Sequence, residues 1–234
     1  DEISYKNDSI FIQTPVYEGY FSAEIQTDGN LKGNFIKPSL NRIVPFYTIK
    51  TSERFSVKED SKVNISGSWE TVFSKDSPSE KYIAKGIFNQ KGNNITGTFR
   101  TTTGDYRYLE GVVDGNQLKL STFDGAHAFL FTAKVTDSTM NGFFYSGNHW
   151  KEPFTAKLKN DYKLPSENEL TFLKKGYDKF NFAFPDETGK LISLNDARFK
   201  NKVVLVQIMG TWCPNCLDES KYYVNYLKEN KSND

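Results

Sequence analysis

From about residue 3 to residue 160 the chain alternates apolar and polar side chains with a period of two, broken at short intervals by Gly, Asn and Asp. That pattern predicts short antiparallel strands joined by hairpins, each strand offering one face to a core. One unit recurs, an apolar residue, x, Gly, x and an aromatic. It occurs at Leu31-Lys32-Gly33-Asn34-Phe35, Ile65-Ser66-Gly67-Ser68-Trp69, Ile95-Thr96-Gly97-Thr98-Phe99 and Met140-Asn141-Gly142-Phe143-Phe144. The turns before these include Asp28-Gly29-Asn30 and Gly92-Asn93-Asn94, residue types that tolerate the positive φ of tight hairpins. A glycine inside a returning strand marks a bend, a bulge or a close approach by another backbone. A second echo reinforces the first: Gly33 and Phe35 are followed by Pro45-Phe46, and Gly142 and Phe144 by Pro153-Phe154. Repeated bending predicts a mainly β domain over residues 1–160, a calycin-like up-and-down barrel or curled antiparallel sheet of eight or more strands. A two-sheet sandwich is the alternative.

The pattern changes over residues 161–178, which gain Glu and Lys and hold a short helical turn after Ser166; this stretch is read as a linker. Residues 179–234 form the second region. Phe180-Asn181-Phe182-Ala183-Phe184 and Lys190-Leu191-Ile192-Ser193-Leu194 flank Pro185-Asp186-Glu187-Thr188-Gly189, the composition of a hairpin and its turn. The strongest buried-strand run of the chain, Val203 to Met209, comes next. A helix is predicted from about Pro214 to Lys228, with Cys216, Ser220, Tyr223, Val224 and Leu227 at helical spacing.

The chain has 234 residues, room for two domains, and its 15% aromatic content supplies ample core material. Thirty basic side chains against twenty-nine acidic ones give a net charge of +1. With no basic block to track a phosphate backbone, nucleic acid is not an expected partner. No apolar stretch approaches the roughly 20 residues that span a bilayer. The chain begins at Asp1 with neither Met nor an apolar leader, as expected of a trimmed, exported protein. Its front part holds no Cys and is not a disulfide scaffold. The sequons at Asn64 and Asn94 are expected by chance in a chain so rich in Asn and Thr.

Both cysteines lie in Trp212-Cys213-Pro214-Asn215-Cys216, between the apolar run and the predicted helix. A thiol attacks disulfides as the thiolate, and unpaired N–H groups at a helix N-terminus favour that form. Cys213 stands at that end and is the expected nucleophile. Cys216, one turn inside, is the expected resolving thiol, so the only redox group required is the Cys213–Cys216 disulfide. Pro214 suits the first helical position. Trp212 offers a flat apolar surface beside the nucleophile. Glu219, three residues after Cys216, is either the acceptor of the Cys216 proton or a solvated acid that favours the helix dipole.

Asp186-x-x-Gly189-x-x-x-Ser193-Leu194, Phe199-Lys200-Asn201-Lys202-Val203-Val204-Leu205-Val206, Thr211-Trp212-Cys213-Pro214-Asn215-Cys216 and Glu219 together resemble the N-terminal part of TlpA/ResA-type thiol-disulfide oxidoreductases, in the redoxin branch of the thioredoxin superfamily. The resemblance covers about residues 178–230. It implies a partial α/β thioredoxin-like domain, a nucleophilic Cys213, a resolving Cys216 and a tuning acid at Glu219. It also implies client proteins with disulfides, an upstream thiol reductant, a periplasmic or cell-envelope location in a bacterium, and a lipoprotein tether in the precursor. The front region is similar to β-rich extensions of some such proteins. The further strands, helix and cis-Pro loop of a complete thioredoxin fold cannot be drawn from the residues after the helix, so the domain is expected to be incomplete.

Other readings of the cysteine pair are weaker. A loop of two intervening residues removes little unfolded-state entropy, metal binding needs two more ligands where the chain offers only His127 and His149, both in the front region and separated from the cysteines by the linker, and haem attachment needs His where Leu217 stands. Asp124 and His127 are a small polar site at a barrel mouth or, preferably, a turn Asp and a strand His. Arg100 to Tyr108 reads as an exposed hairpin in preference to a binding surface. No Ser sits on a nucleophile elbow. The competing function is a β-barrel module that binds a small apolar ligand or a cell-envelope partner and carries an inactive redox remnant.

Overall fold

The computed structural model describes residues 2–14 and 16–230. It comprises two compact units, residues 1–164 with 211–215 and residues 165–210 with 216–234. In the first unit the period-two alternation becomes thirteen strands in two antiparallel meanders. Strands β1 (Ile3–Lys6), β2 (Ser9–Gln13), β3 (Tyr20–Ile25), β4 (Leu31–Lys37) and β5 (Arg42–Tyr47) make a five-stranded sheet in chain order. Strands β6 (Gly67–Phe73), β7 (Tyr82–Lys91), β8 (Asn94–Thr101), β9 (Leu109–Asp114), β10 (Gln117–Phe123), β11 (Ala128–Val135), β12 (Thr139–Ser146) and β13 (Trp150–Leu158) make a closed up-and-down barrel. Pairing of β13 with β6, in the register Phe154 to Phe73 and Leu158 to Trp69, closes it and removes both edges.

Alternation decides what fills the barrel. Trp69, Thr71 and Phe73 point inward from β6, Leu118 and Leu120 from β10, and Phe131, Ala133 and Val135 from β11. All of these but Thr71 join Phe99, Met140, Phe144 and Phe154 in one buried apolar cluster. Each fully buried large apolar side chain contributes about 1.5–3 kcal/mol. The interior is therefore a packed core, and the one buried indole is satisfied: Trp69 Nε1–H donates to the Ile65 carbonyl at 2.9 Å.

The echo in the sequence has a structural counterpart. In the five-stranded sheet Ala23 pairs with Gly33, Phe21 with Phe35, and Gly33 with Phe46. In the barrel Ala133 pairs with Gly142, Phe131 with Phe144, and Gly142 with Phe154. Strands β2–β5 thus repeat the design of β10–β13. Gly142 shows why glycine is required: a Cβ there would run into the Thr132 carbonyl and Ala133 of the neighbouring strand. Of the alternatives weighed for the recurrent glycines, close backbone approach is the one realised here, with an aromatic ring on the opposite strand covering the gap.

One end of the barrel carries a buried polar network. Glu152 of β13 is 4% exposed. Its Oε2 accepts from the Ser74 hydroxyl and its Oε1 from the Tyr82 hydroxyl, each at 2.7 Å. The Tyr82 O–H is engaged in donating a hydrogen bond to Glu152, so the 2.5 Å hydrogen bond between Tyr82 and Tyr106 is donated by Tyr106. Such bonds to a charged acceptor contribute about 1.5–3 kcal/mol each. Tyr106 lies in the segment expected to be an exposed hairpin; Arg100 pairs with Asp105 across a turn there and most of the segment is exposed, while Tyr106 is half-buried and packs on the core aromatics.

The second unit holds a four-residue helix α1 (Glu167–Leu170), capped by Ser166 as its position predicts, and the expected hairpin, β14 (Ala183–Pro185) with β15 (Leu191–Ser193). Asp186 organises the turn: its Oδ1 accepts from the backbone N–H groups of Thr188 and Lys190 and from the Thr188 hydroxyl. Helix α2 (Pro214–Glu229) matches its prediction. The strand expected over Val203–Met209 does not form. Val203 is 95% and Ile208 90% exposed, and among the described residues no strand pairs with the run. A parallel-type strand exists only as part of a ladder, so an apolar run without a neighbour stays irregular. A thioredoxin-like sheet is accordingly not formed by the described residues. No helix among them is long and apolar enough to cross a membrane.

Two outcomes follow for stability. Gly142→Ala should destabilise the barrel by about 1–3 kcal/mol through overpacking, read as a lowered urea midpoint with Trp fluorescence. Burial, opposed in part by the hydrogen bond with Tyr82 and aided by the charge of Glu152, pushes the Tyr106 pKa from 10.0 to about 12, and burial drives Tyr82 higher still. A raised folded-state pKa means stability that is intact below pH 10 and lost as pH rises towards 12. The thermal midpoint should fall across that window, and Tyr82→Phe/Tyr106→Phe should flatten the fall.

Candidate active site

Helix α2 begins where the sequence dictates. Pro214 occupies its first position, where a missing N–H costs nothing, and Leu217, Glu219 and Lys221 continue with good helix formers. Cys213 immediately precedes this first turn, where backbone N–H groups have no carbonyl partner within the helix ladder. Cys213 and Cys216 are joined in a disulfide. Both are half-buried, Pro214 is buried and Trp212 is 67% exposed. The pentad thus brings together four of the residues singled out in the sequence: an indole face open to solvent, a sulfur at the helix head, the proline, and the second sulfur one turn in.

Glu219, the fifth, is exposed on the same helix. Its carboxylate accepts from Gln207 Nε2 at 2.8 Å and from the Tyr223 hydroxyl at 2.8 Å. The bond to Glu219 holds the Tyr223 phenol above its ordinary pKa, with burial and the carboxylate's charge acting in the same direction. Gln207 also donates to the Cys216 carbonyl at 3.0 Å. The Ser220 hydroxyl lies 2.8 Å from both the Gln207 Oε1 and that carbonyl, and donates to one or the other.

Gln207 is the positioning residue that the sequence reading missed. It ties the Cys216 backbone to the Glu219 carboxylate. Its signal was present: it is the single polar residue inside the run Val203-Val204-Leu205-Val206-Gln207-Ile208-Met209. A polar group there is out of place in a buried strand and in place beside a helix that offers it partners.

His127 and Asp124 have the simpler of their two arrangements. Asp124 accepts from the backbone N–H groups of Ala126 and His127 at 2.8 and 2.6 Å and lies 3.2 Å from His127 Nδ1, a turn closed on itself. Burial raises the Asp124 pKa, but the His127 ring and the two N–H groups outweigh it and leave the carboxyl below its ordinary range.

Over 60 residues, 26% of this chain, the sequence is 40% identical to the thiol-disulfide oxidoreductase ResA of Bacillus subtilis (strain 168). The match covers 32% of that relative, so the chain spans about a third of its length. No family model matches the chain, and no solved structure does. The partial likeness and the disulfide pair point in the same direction, towards oxidoreductase chemistry.

After reduction, Cys213 should alkylate with an apparent pKa below the reference of about 8.5, and Cys216 at or above it. Iodoacetamide trapping across pH 5–10 with peptide mapping reads both. Equal rates at the two sulfurs throughout would remove the functional asymmetry of the pair.

Proposed function

We propose that the protein is a thiol-disulfide oxidoreductase that reduces or exchanges disulfides of client proteins in a bacterial periplasm or cell envelope. The observation that carries this reading is the Cys213–Cys216 disulfide at the head of α2; the 60-residue likeness to a thiol-disulfide oxidoreductase supports it. In the reducing direction the Cys213 thiolate attacks one sulfur of a client disulfide. The client S–S bond breaks, its second sulfur leaves with the electron pair and takes a proton from solvent, and a mixed disulfide remains. Cys216 then gives its proton to Glu219 or to water and attacks the Cys213 sulfur. The Cys213–Cys216 bond forms, the client dithiol departs, and two electrons have passed to the client. An external thiol reductant restores the pair.

Trp212 is the surface on which a client chain lies, and Gln207 keeps Glu219 near the Cys216 turn. Cys213, Cys216, Trp212, Pro214 and Glu219 form the working set, with no metal and no cofactor beyond the disulfide. The packed aromatic core argues against the competing reading in its simplest form, an apolar ligand held in the barrel's centre.

Single-cysteine variants test the assignment. Cys216→Ser should accumulate a mixed disulfide with a disulfide-linked peptide, detected by intact mass, whereas Cys213→Ser should accumulate at least about tenfold less because its remaining thiol lacks the helix N-terminus. Equal trapping by both variants, or trapping by neither, would overturn it. Glu219→Gln should slow the second step, release of the peptide from the otherwise intact pair, more than the first.

A further inference from the structure

We propose that the end of the barrel closed by Glu152, Tyr82 and Tyr106 is a binding site for a small organic cation, an ammonium or guanidinium group carried on an apolar body, with Glu152 as its counter-charge. The cavity there is lined by Tyr82, Thr101, Tyr106, Phe129, Phe144 and Glu152. It lies among the first residues of β7, β11 and β13 and the last of β8 and β12, the same end of the barrel, and Asn215, between the two cysteines, also lines it.

Three observations converge on a cation. The first is charge. Glu152 is almost fully buried, yet among the described residues no lysine or arginine forms an ion pair with it. Its two hydrogen bonds come from the neutral hydroxyls of Ser74 and Tyr82. Those bonds orient the carboxylate without neutralising it, and a buried charge is strongly favoured by an opposite one. Each carboxylate oxygen can accept a further bond.

The second is the wall. Tyr106 packs against Phe129 and Phe144 with ring centroids 5.5 and 4.9 Å apart. Aromatic faces attract cations, more so away from water, and they accept the apolar body that carries the charge. Tyr106 donates a hydrogen bond to Tyr82, so its oxygen keeps lone pairs for an N–H donor.

The third is the repeat. In β12 and β13, Phe144 pairs with Glu152; at the corresponding place in β4 and β5, Phe35 pairs with Val44. The same strand design is thus built with an apolar residue, and the sheet itself does not require the acid. A carboxylate where the duplicate has valine points to a ligand.

The test uses the full chain and three probes of one shape: benzylammonium, benzyl alcohol and benzoate. Titration followed by the aromatic side-chain NMR signals should show saturable binding of benzylammonium, with shifts at Tyr82, Tyr106, Phe129 and Phe144, and affinity for the other two at least about tenfold weaker. Glu152→Gln should lower benzylammonium affinity about tenfold or more. If that variant does not fold, Tyr106→Phe decides, since it removes one hydroxyl and keeps the ring; it should weaken benzylammonium severalfold. No binding of benzylammonium, equal binding of benzyl alcohol, or undiminished affinity in a folded Glu152→Gln or Tyr106→Phe chain would each overturn the proposal. A network that merely closes the barrel end would move stability in these variants and leave no charge preference to measure.

Discussion

Curvature is the constraint on which the first unit depends. Eight strands close only if neighbours approach and coil tightly, and Gly142 allows this by letting the backbone of β12 lie where a Cβ would strike Thr132 and Ala133. Phe154 covers the space left opposite it. Once β13 reaches β6, every barrel strand has two partners, and the inward residues meet as a single aromatic core. The five-stranded sheet has the same glycine, alanine and phenylalanine pairing yet remains open, so the motif permits coiling without enforcing closure. What closes the barrel is the presence of a partner for its last strand.

The second unit is organised differently. Its apolar run from Val203 to Met209 has no ladder, and order concentrates in the Asp186 turn and in α2 with the residues it engages. The cysteine pair stands at the head of the helix, the end at which backbone N–H groups favour a thiolate. Gln207 extends that local order by joining the Cys216 carbonyl, the Glu219 carboxylate and Ser220.

Local signals were legible and partnerships were not. The alternation, the Gly-x-aromatic repeats, the Ser166 cap, the hairpin turn and the start of α2 are written in short windows, because each depends on neighbours a few residues away. The split of the β region into an open sheet and a closed barrel depends on β6 meeting β13, about which no short window speaks. The same holds for Glu152, whose partners Ser74 and Tyr82 are 78 and 70 residues distant. For Val203 to Met209 the composition records a demand for burial, and a strand needs in addition another strand to accept it. In the pentad the helix start was legible, since Pro214 and the helical spacing behind it lie in one short window.

The central claim is that Cys213 and Cys216 exchange two electrons as one unit. Equilibrating the chain in graded ratios of reduced to oxidised glutathione, then trapping free thiols and counting them by intact mass, tests it most directly. The account predicts a single transition between dithiol and internal disulfide that follows a two-electron dependence, about 30 mV for each tenfold change in the equilibrium constant, with the glutathione adduct a minor species. Two independent transitions, one per sulfur, each ending in a stable glutathione adduct, would contradict it.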